Sequence, residues 1–222
     1  MKSALVIKPD NVTFEQAASA PVAALTALQG LRDKGRIQPG QKVLINGAAG
    51  GVGTFAVQIA KSFGANVTGV CSTRNVDMVR SIGADWVIDY TQEDFTKSGL
   101  RYDLFFDCVG NHSLSASRRV LNPKGILIMV GAPIDVPLTA LLARLIRALV
   151  WSRFLSQKMV FFIARVNKED LTIVRELMAT EKVTPVIDRR YRLREAAEAF
   201  RYMEEGHARG KVVITLDDND KA

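Results

Sequence analysis

The stretch Leu44–Gly53, LINGAAGGVG, decides how this chain reads. It completes the apolar run Lys42-Val43-Leu44-Ile45-Asn46, and four glycines then fall within seven positions, at Gly47, Gly50, Gly51 and Gly53. A short run without polar alternation fits a strand buried on both faces. Downstream, Val52, Phe55, Ala56, Ile59, Ala60 and Phe63 share one face of a helix, which Gly64 closes. A strand must therefore turn sharply into a helix at a place that something approaches closely. Gly50 and Gly51 are expected to supply unusual backbone angles there and to leave no Cβ in the way. Gly53 lets the helix start press on the strand.

Working outward, the same alternation continues. Strands are expected at 42–46, 66–72, 86–90, 102–109, 125–131 and 159–164, with helices at 75–82, 111–120, 138–151 and 168–181. Strands alternating with helices make βαβ units, and right-handed crossovers place helices on both faces of a parallel sheet. The fold class is thus α/β, a Rossmann-type doubly wound parallel sheet of about six strands. The tail breaks the rhythm: 186–193 and 211–216 read as strands around a helix at 195–205, a short α+β extension. The division expected is 1–183 for the nucleotide-binding domain with its lead-in and 184–222 for the C-terminal segment.

Read as Ala48-x-Gly50-x-x-Gly53, the turn matches the dinucleotide fingerprint, with alanine at the first glycine position. The unpaired N–H groups and positive dipole end of the following helix suit a pyrophosphate. Strand two ends in Val70-Cys71-Ser72-Thr73-Arg74, with no acid before Asp77 to take a ribose 2′-hydroxyl. Hydroxyls and a guanidinium fit a 2′-phosphate instead, so NADP(H) is expected over NAD(H).

Composition excludes several classes. The 222 residues are 48% hydrophobic, enough for a sizeable core. Two cysteines argue against a disulfide-stapled secreted fold, and two histidines leave little for zinc, so no metal is expected. Cys71 and Cys108 should be free thiols, since two strand spacings of roughly 9.5 Å separate the ends they occupy, beyond the ~7 Å a disulfide spans. The net charge of +7 lies in scattered arginines and lysines without exposed aromatics between them, so nucleic acid is not an expected partner. The segment 138–151 is too short for a span and carries Arg144 and Arg147, which makes it an amphipathic helix rather than a membrane anchor. The N-terminus lacks an apolar signal core, and a cytoplasmic location is expected. The apolar run 159–164, last in the sheet, is expected to pair with a second copy as a homodimer edge.

Four stretches together, IQPGQKVLINGAAGGVGTFAVQIAKSFGANV (37–67), GADWVIDY (83–90), YDLFFDCVGN (102–111) and GHARGKVVITL (206–216), resemble the medium-chain dehydrogenase/reductase superfamily, in its zinc-free quinone oxidoreductase-like branch. The resemblance implies that Ala49, Gly50, Gly51, Val52 and Gly53 hold the pyrophosphate. It places Ser72, Arg74 and Tyr90 by the adenosine phosphate. Val109, Gly110 and Asn111 would lie near the cofactor, with Val130, Gly131 and Ala132 near the nicotinamide. It further implies NADPH-dependent hydride transfer to a quinone or activated enone as small-molecule substrate, with no catalytic residue assignable. Members begin with a GroES-like barrel that shapes the substrate pocket, and KPDNVTFEQAASAPVAALTAL (8–28) resembles the segment after it. The expectation is that these residues alone bind NADPH without turning over substrate. A nucleotide-sensing module, an interaction protein and a fragment of a zinc-type alcohol dehydrogenase are the rival readings.

Overall fold

A computed structural model of the chain describes residues 4–131, 139, 156–206 and 208–216. The lead-in forms two helices, α1 (Phe14–Ser19) and α2 (Pro21–Gln29), followed by a π-helical turn at Gly30–Lys34. A capping box starts α1: the Gln16 N–H donates to Thr13 Oγ1, and the Thr13 N–H donates to the Gln16 side chain. Pro21 opens α2, where its missing N–H costs nothing.

Six strands follow: β1 (Lys42–Asn46), β2 (Asn66–Cys71), β3 (Trp86–Asp89), β4 (Tyr102–Asp107), β5 (Leu121–Met129) and β6 (Lys158–Phe161). They form one sheet in the order β3-β2-β1-β4-β5-β6, every neighbouring pair parallel. The connecting helices are α3 (Gly53–Ser62), α4 (Val76–Ser81) and α5 (Leu114–Arg119), with α6 (Lys168–Ala179) after β6. The predicted helix at 138–151 lies, Thr139 apart, outside the described residues.

The strands read as unbroken apolar runs because both sheet faces are covered. Val43 and Ile45 of β1, Leu104 and Phe106 of β4 and Ile128 of β5 join one cluster with α2, α3 and α4. Leu44, Phe105, Leu127 and Met129, alternating with them, join a second cluster with Leu114 of α5 and Met159 of β6. Successive side chains of a strand point to opposite faces, so a doubly covered strand buries both and reads as a near-continuous apolar run.

β6 is shorter than the predicted 159–164. Its ladder stops at Phe161, opposite Met129, the last residue of β5. Beyond it the Gln29 side chain captures the chain: the Arg165 N–H donates to Gln29 Oε1 at 2.9 Å, and Gln29 Nε2 donates to the Arg165 carbonyl at 2.7 Å. Asp170 anchors the same point, accepting from Gln29 Nε2 at 2.8 Å and pairing with Arg32 at 2.7 Å. The chain is drawn across to α2 instead of running on along the sheet.

The tail forms β7 (Ile187–Arg192), α7 (Ala196–Glu204) and β8 (Lys211–Thr215), with β7 and β8 parallel in a separate two-stranded sheet. It docks on the glycine turn, where the Gly210 N–H donates to the Ala49 carbonyl at 2.8 Å. Cys71 ends β2 and Cys108 follows β4, on either side of β1, and both thiols are free.

The tightest backbone approach lies at the start of α3. A Cβ on Gly53 would stand 2.0 Å from the Gly47 carbonyl oxygen and 2.9 Å from the Ala48 Cα. Both obstacles are main chain and cannot swing aside. Gly53→Ala should therefore lower the unfolding free energy by about 2–3 kcal/mol, the cost of forcing a core to expand. Urea unfolding followed by circular dichroism checks this, and an unchanged midpoint at an unchanged slope would contradict the packing described.

Candidate functional site

At the carboxyl ends of β1, β2 and β4 lies a cavity of about 550 Å³. This is the crevice that an open α/β sheet creates where its strand order reverses, here between β1 and β4. Of the residues expected from sequence, Ala49, Gly50, Gly51, Val52, Gly53, Ser72, Arg74, Tyr90, Val109 and Asn111 line it. Gly110 is buried behind the turn after β4, and Val130 and Gly131 are half-buried at the end of β5; none of these three is on the cavity wall. Ala132 lies outside the described residues.

The glycines act differently from the expectation. The positive φ of the turn is at Gly47, at 78°, while Gly50 and Gly51 are not among the glycines with positive φ. What Gly51 provides is space: a Cβ there would meet the Lys211 side chain at 3.1 Å and the Gly210 carbonyl at 3.2 Å. The turn is thus closed from one side by the tail and open to the cavity on the other.

Several other residues line the cavity as well. Those not assigned to the site from the sequence are Asn46, Gly47, Cys71, Asn75, Phe95, Cys108, His112, Gly206, Ala208 and Lys211. Lys211 is the most informative. Its ammonium is half-buried, with no side-chain hydrogen bond or ion pair among the described residues, and burial pulls its pKa down from the usual lysine value. An ammonium removed from water without a partner costs free energy that an anion in the cavity would return. The Gly-Lys pair ahead of the strand KVVITL was visible in the sequence. Its position beside a turn 160 residues earlier was not.

At the far end, Arg74 and Ser72 stand in the turn after β2 with Tyr90 opposite. Asp89 ends β3 next to Cys71 in register, a carboxylate the sequence reading did not weigh. It is turned away, accepting from Thr73 Oγ1 at 2.5 Å and from the Thr91 hydroxyl and N–H at 2.8 and 2.9 Å. These bonds hold its carboxyl below the ordinary range, the Thr73 hydroxyl contributing most. The described lining of the cavity thus holds two basic side chains, Arg74 and Lys211, and no carboxylate.

Phe95 and His112 form an aromatic corner, edge to face with ring centres 4.7 Å apart. Both thiols touch the cavity. Burial and the nearby Asp89 charge push Cys71 up to about 11, and burial with Asp107 pushes Cys108 higher still. Both are protonated at neutral pH and are poor nucleophiles. Among the described residues, no group of three His, Cys, Asp or Glu side chains gathers to hold a metal ion, and no helix is long and apolar enough to cross a membrane.

The wider comparisons agree with this geometry. Residues 82–214 match the model of the zinc-binding dehydrogenase family. The chain is 34% identical over 216 residues to a zinc-type alcohol dehydrogenase-like protein of Schizosaccharomyces pombe, covering 94% of this chain and 61% of that protein. It is 35% identical over 234 residues to the mitochondrial NAD(P)H oxidoreductase RTN4IP1 of Mus musculus, covering 94% of this chain and 57% of that protein. The quinone oxidoreductase of Coxiella burnetii superposes with a TM-score of 0.81 at 30% identity, over 96% of this chain and 64% of that one. The chain therefore spans less than two thirds of the length of these relatives. Zinc, which the family's description carries, finds no ligand set among the described residues. The reversal of strand order between β1 and β4, the glycine turn at that point and the matched residues 82–214 lead to one assignment: the chain belongs to the zinc-binding dehydrogenase family, within the medium-chain dehydrogenase/reductase superfamily.

Proposed function

We propose that the cavity holds NADPH, and that these residues are the cofactor-binding part of an oxidoreductase that delivers hydride to a quinone or an activated enone. The observation that carries this reading is the charge of the lining, with Lys211 at the glycine turn, Arg74 in the turn after β2 and no acid among the described lining residues. A dinucleotide with a pyrophosphate in its middle and a third phosphate on its adenosine ribose has that charge pattern. Gly50, Gly51 and Gly53 line the cavity beside the N-terminus of α3, where the pyrophosphate is assigned, and Lys211 packs against Gly51 of the same turn. Ser72 and Arg74, with Tyr90, are the groups for the 2′-phosphate. Val109, Gly110 and Asn111, and beyond them Val130, Gly131 and Ala132, are assigned to the nicotinamide side. The dihydronicotinamide supplies the hydride, so the protein's own task is to orient it and exclude water. The protonated thiol of Cys108, next to Val109, fits an electrophilic acceptor, because a thiolate beside a quinone or enone would add to it.

The homologous quinone oxidoreductase and NAD(P)H oxidoreductase support the reaction class. We further assign a second copy of this chain to the edge of β6, where Phe161 is 46% exposed on a strand with no outer neighbour among the described residues.

Three outcomes test this reading. Arg74→Ala should weaken NADPH binding by about 1.5–3 kcal/mol, the scale of a charge-assisted hydrogen bond, and leave NADH almost unchanged. Equal losses in calorimetry would remove the 2′-phosphate assignment. Lys211→Met should weaken both nucleotides alike. It should also leave the nucleotide-free protein as stable or more so at neutral pH. A lysine with a depressed native pKa destabilises the fold while charged, and that penalty fades only as pH rises through the depressed value toward the unfolded one. A drop in the thermal midpoint of the nucleotide-free variant would show that Lys211 is a structural partner instead. Phe161→Lys should convert a dimer to monomer in sedimentation, and an unaltered dimer would move the contact elsewhere.

A further inference from the structure

Along the cavity wall a chain of hydrogen bonds runs from β4 to β1 and back to the loop after β4. Asp107 ends β4 fully buried. Its Oδ1 accepts from the N–H groups of Val109 at 3.1 Å and Gly110 at 2.9 Å, which close the turn after the strand. The same oxygen accepts from Asn46 Nδ2 at 3.0 Å. Asn46 ends β1 and is 4% exposed. Its second amide proton goes to Asn111 Oδ1 at 3.1 Å.

Each link fixes the polarity of the next. Two backbone N–H groups face the Asp107 side chain, so an acceptor must stand there. A carboxylate can only accept, so Asn46 must turn its nitrogen toward it. That nitrogen also faces Asn111, so Asn111 must answer with its oxygen. Were the Asn111 amide reversed, two NH2 groups would confront each other. The Asn111 nitrogen is the group left over, on an exposed side chain that lines the cavity, with no protein partner among the described residues.

We propose that Asn46 and Asp107 are positioning residues that present the Asn111 amide to the cavity as a hydrogen-bond donor, selecting a ligand oxygen, a ribose hydroxyl or a carbonyl, at that place. This rests on the reading of the cavity as a nucleotide site. The backbone turn sets the direction of the Asn111 donor through Asp107 and Asn46, and reversing Asn111 alone would break its bond to Asn46.

A double-mutant cycle on nucleotide affinity tests the proposal, with NADPH as the probe and the full chain as the protein. Asn111→Ala should weaken binding about three- to tenfold, the range of one neutral hydrogen bond. Asn46→Ala should weaken it by a smaller factor. The double variant should bind no worse than Asn111→Ala, since Asn46 acts only through Asn111. Multiplying losses in the double variant, or an Asn111→Ala protein that binds like the wild type, would overturn the inference while the nucleotide reading stands. A wild type that binds neither NADPH nor NADH would overturn that reading and the selection of a ligand oxygen with it. The orientation is tested without any ligand by side-chain amide resonances. The Asn46 NH2 protons should exchange slowly and those of Asn111 rapidly, and the opposite order would refute the relay.

Discussion

The molecule is organised around one contact between main-chain atoms, the seating of the Gly53 Cα against the Gly47 carbonyl where β1 becomes α3. No side chain fits between them. That approach sets the distance from the central strand to its helix, and so how deeply Phe55, Ile59 and Ala60 sink into the core shared with α2 and α4. It also puts the start of α3, Val52 and Gly53, on the wall of the cavity. A bulkier residue would displace the helix and the cavity together, because both hang from the same turn.

The second constraint is electrostatic. The chain places a half-buried lysine against that turn and gives it no counter-charge among the described residues. The placement is held by the bond from the Gly210 N–H to the Ala49 carbonyl and by the parallel pairing of β7 with β8. At Gly210, with φ of 91°, a Cβ would strike the Val186 carbonyl at 2.3 Å, so the segment ahead of Lys211 is as tightly specified as the glycine turn it covers. A half-buried cation in so determined a position, unpaired among the described residues, costs the fold stability.

Much of the architecture was legible because a doubly covered sheet leaves a simple trace. All six strands stand where the apolar runs are, since alternate residues feed clusters on opposite faces. Boundaries were less legible. β5 begins at Leu121, ahead of the predicted 125, because the chain passes through Lys124 at φ of 70° and rejoins β4 after an irregular register. α5 is shorter than 111–120 because Ser113 caps it, accepting from the Ala116 N–H. The two lead-in helices went unread although the capping box at Thr13 and Gln16 and the proline at position 21 announce them. Their weak point as a signal is that alanines dominate, so no apolar stripe stands out.

In the site, the sequence by itself determined the parts that are local: the glycine turn, the strand before it, the helix after it, and the Ser72–Arg74 segment at the end of β2. These follow from short-range stereochemistry and from side-chain periodicity, which a linear reading contains. Only the tertiary structure decided that Lys211 stands over a turn 160 residues earlier, that Asp89 faces Thr73 instead of the cavity, and that Asn46, Asp107 and Asn111 join in one polar chain. Those outcomes depend on strand order and on how the tail folds back. Pairing of distant strands leaves no mark in the spacing of residues along the chain, because the hydrogen bonds that define it are backbone bonds that any sequence can make.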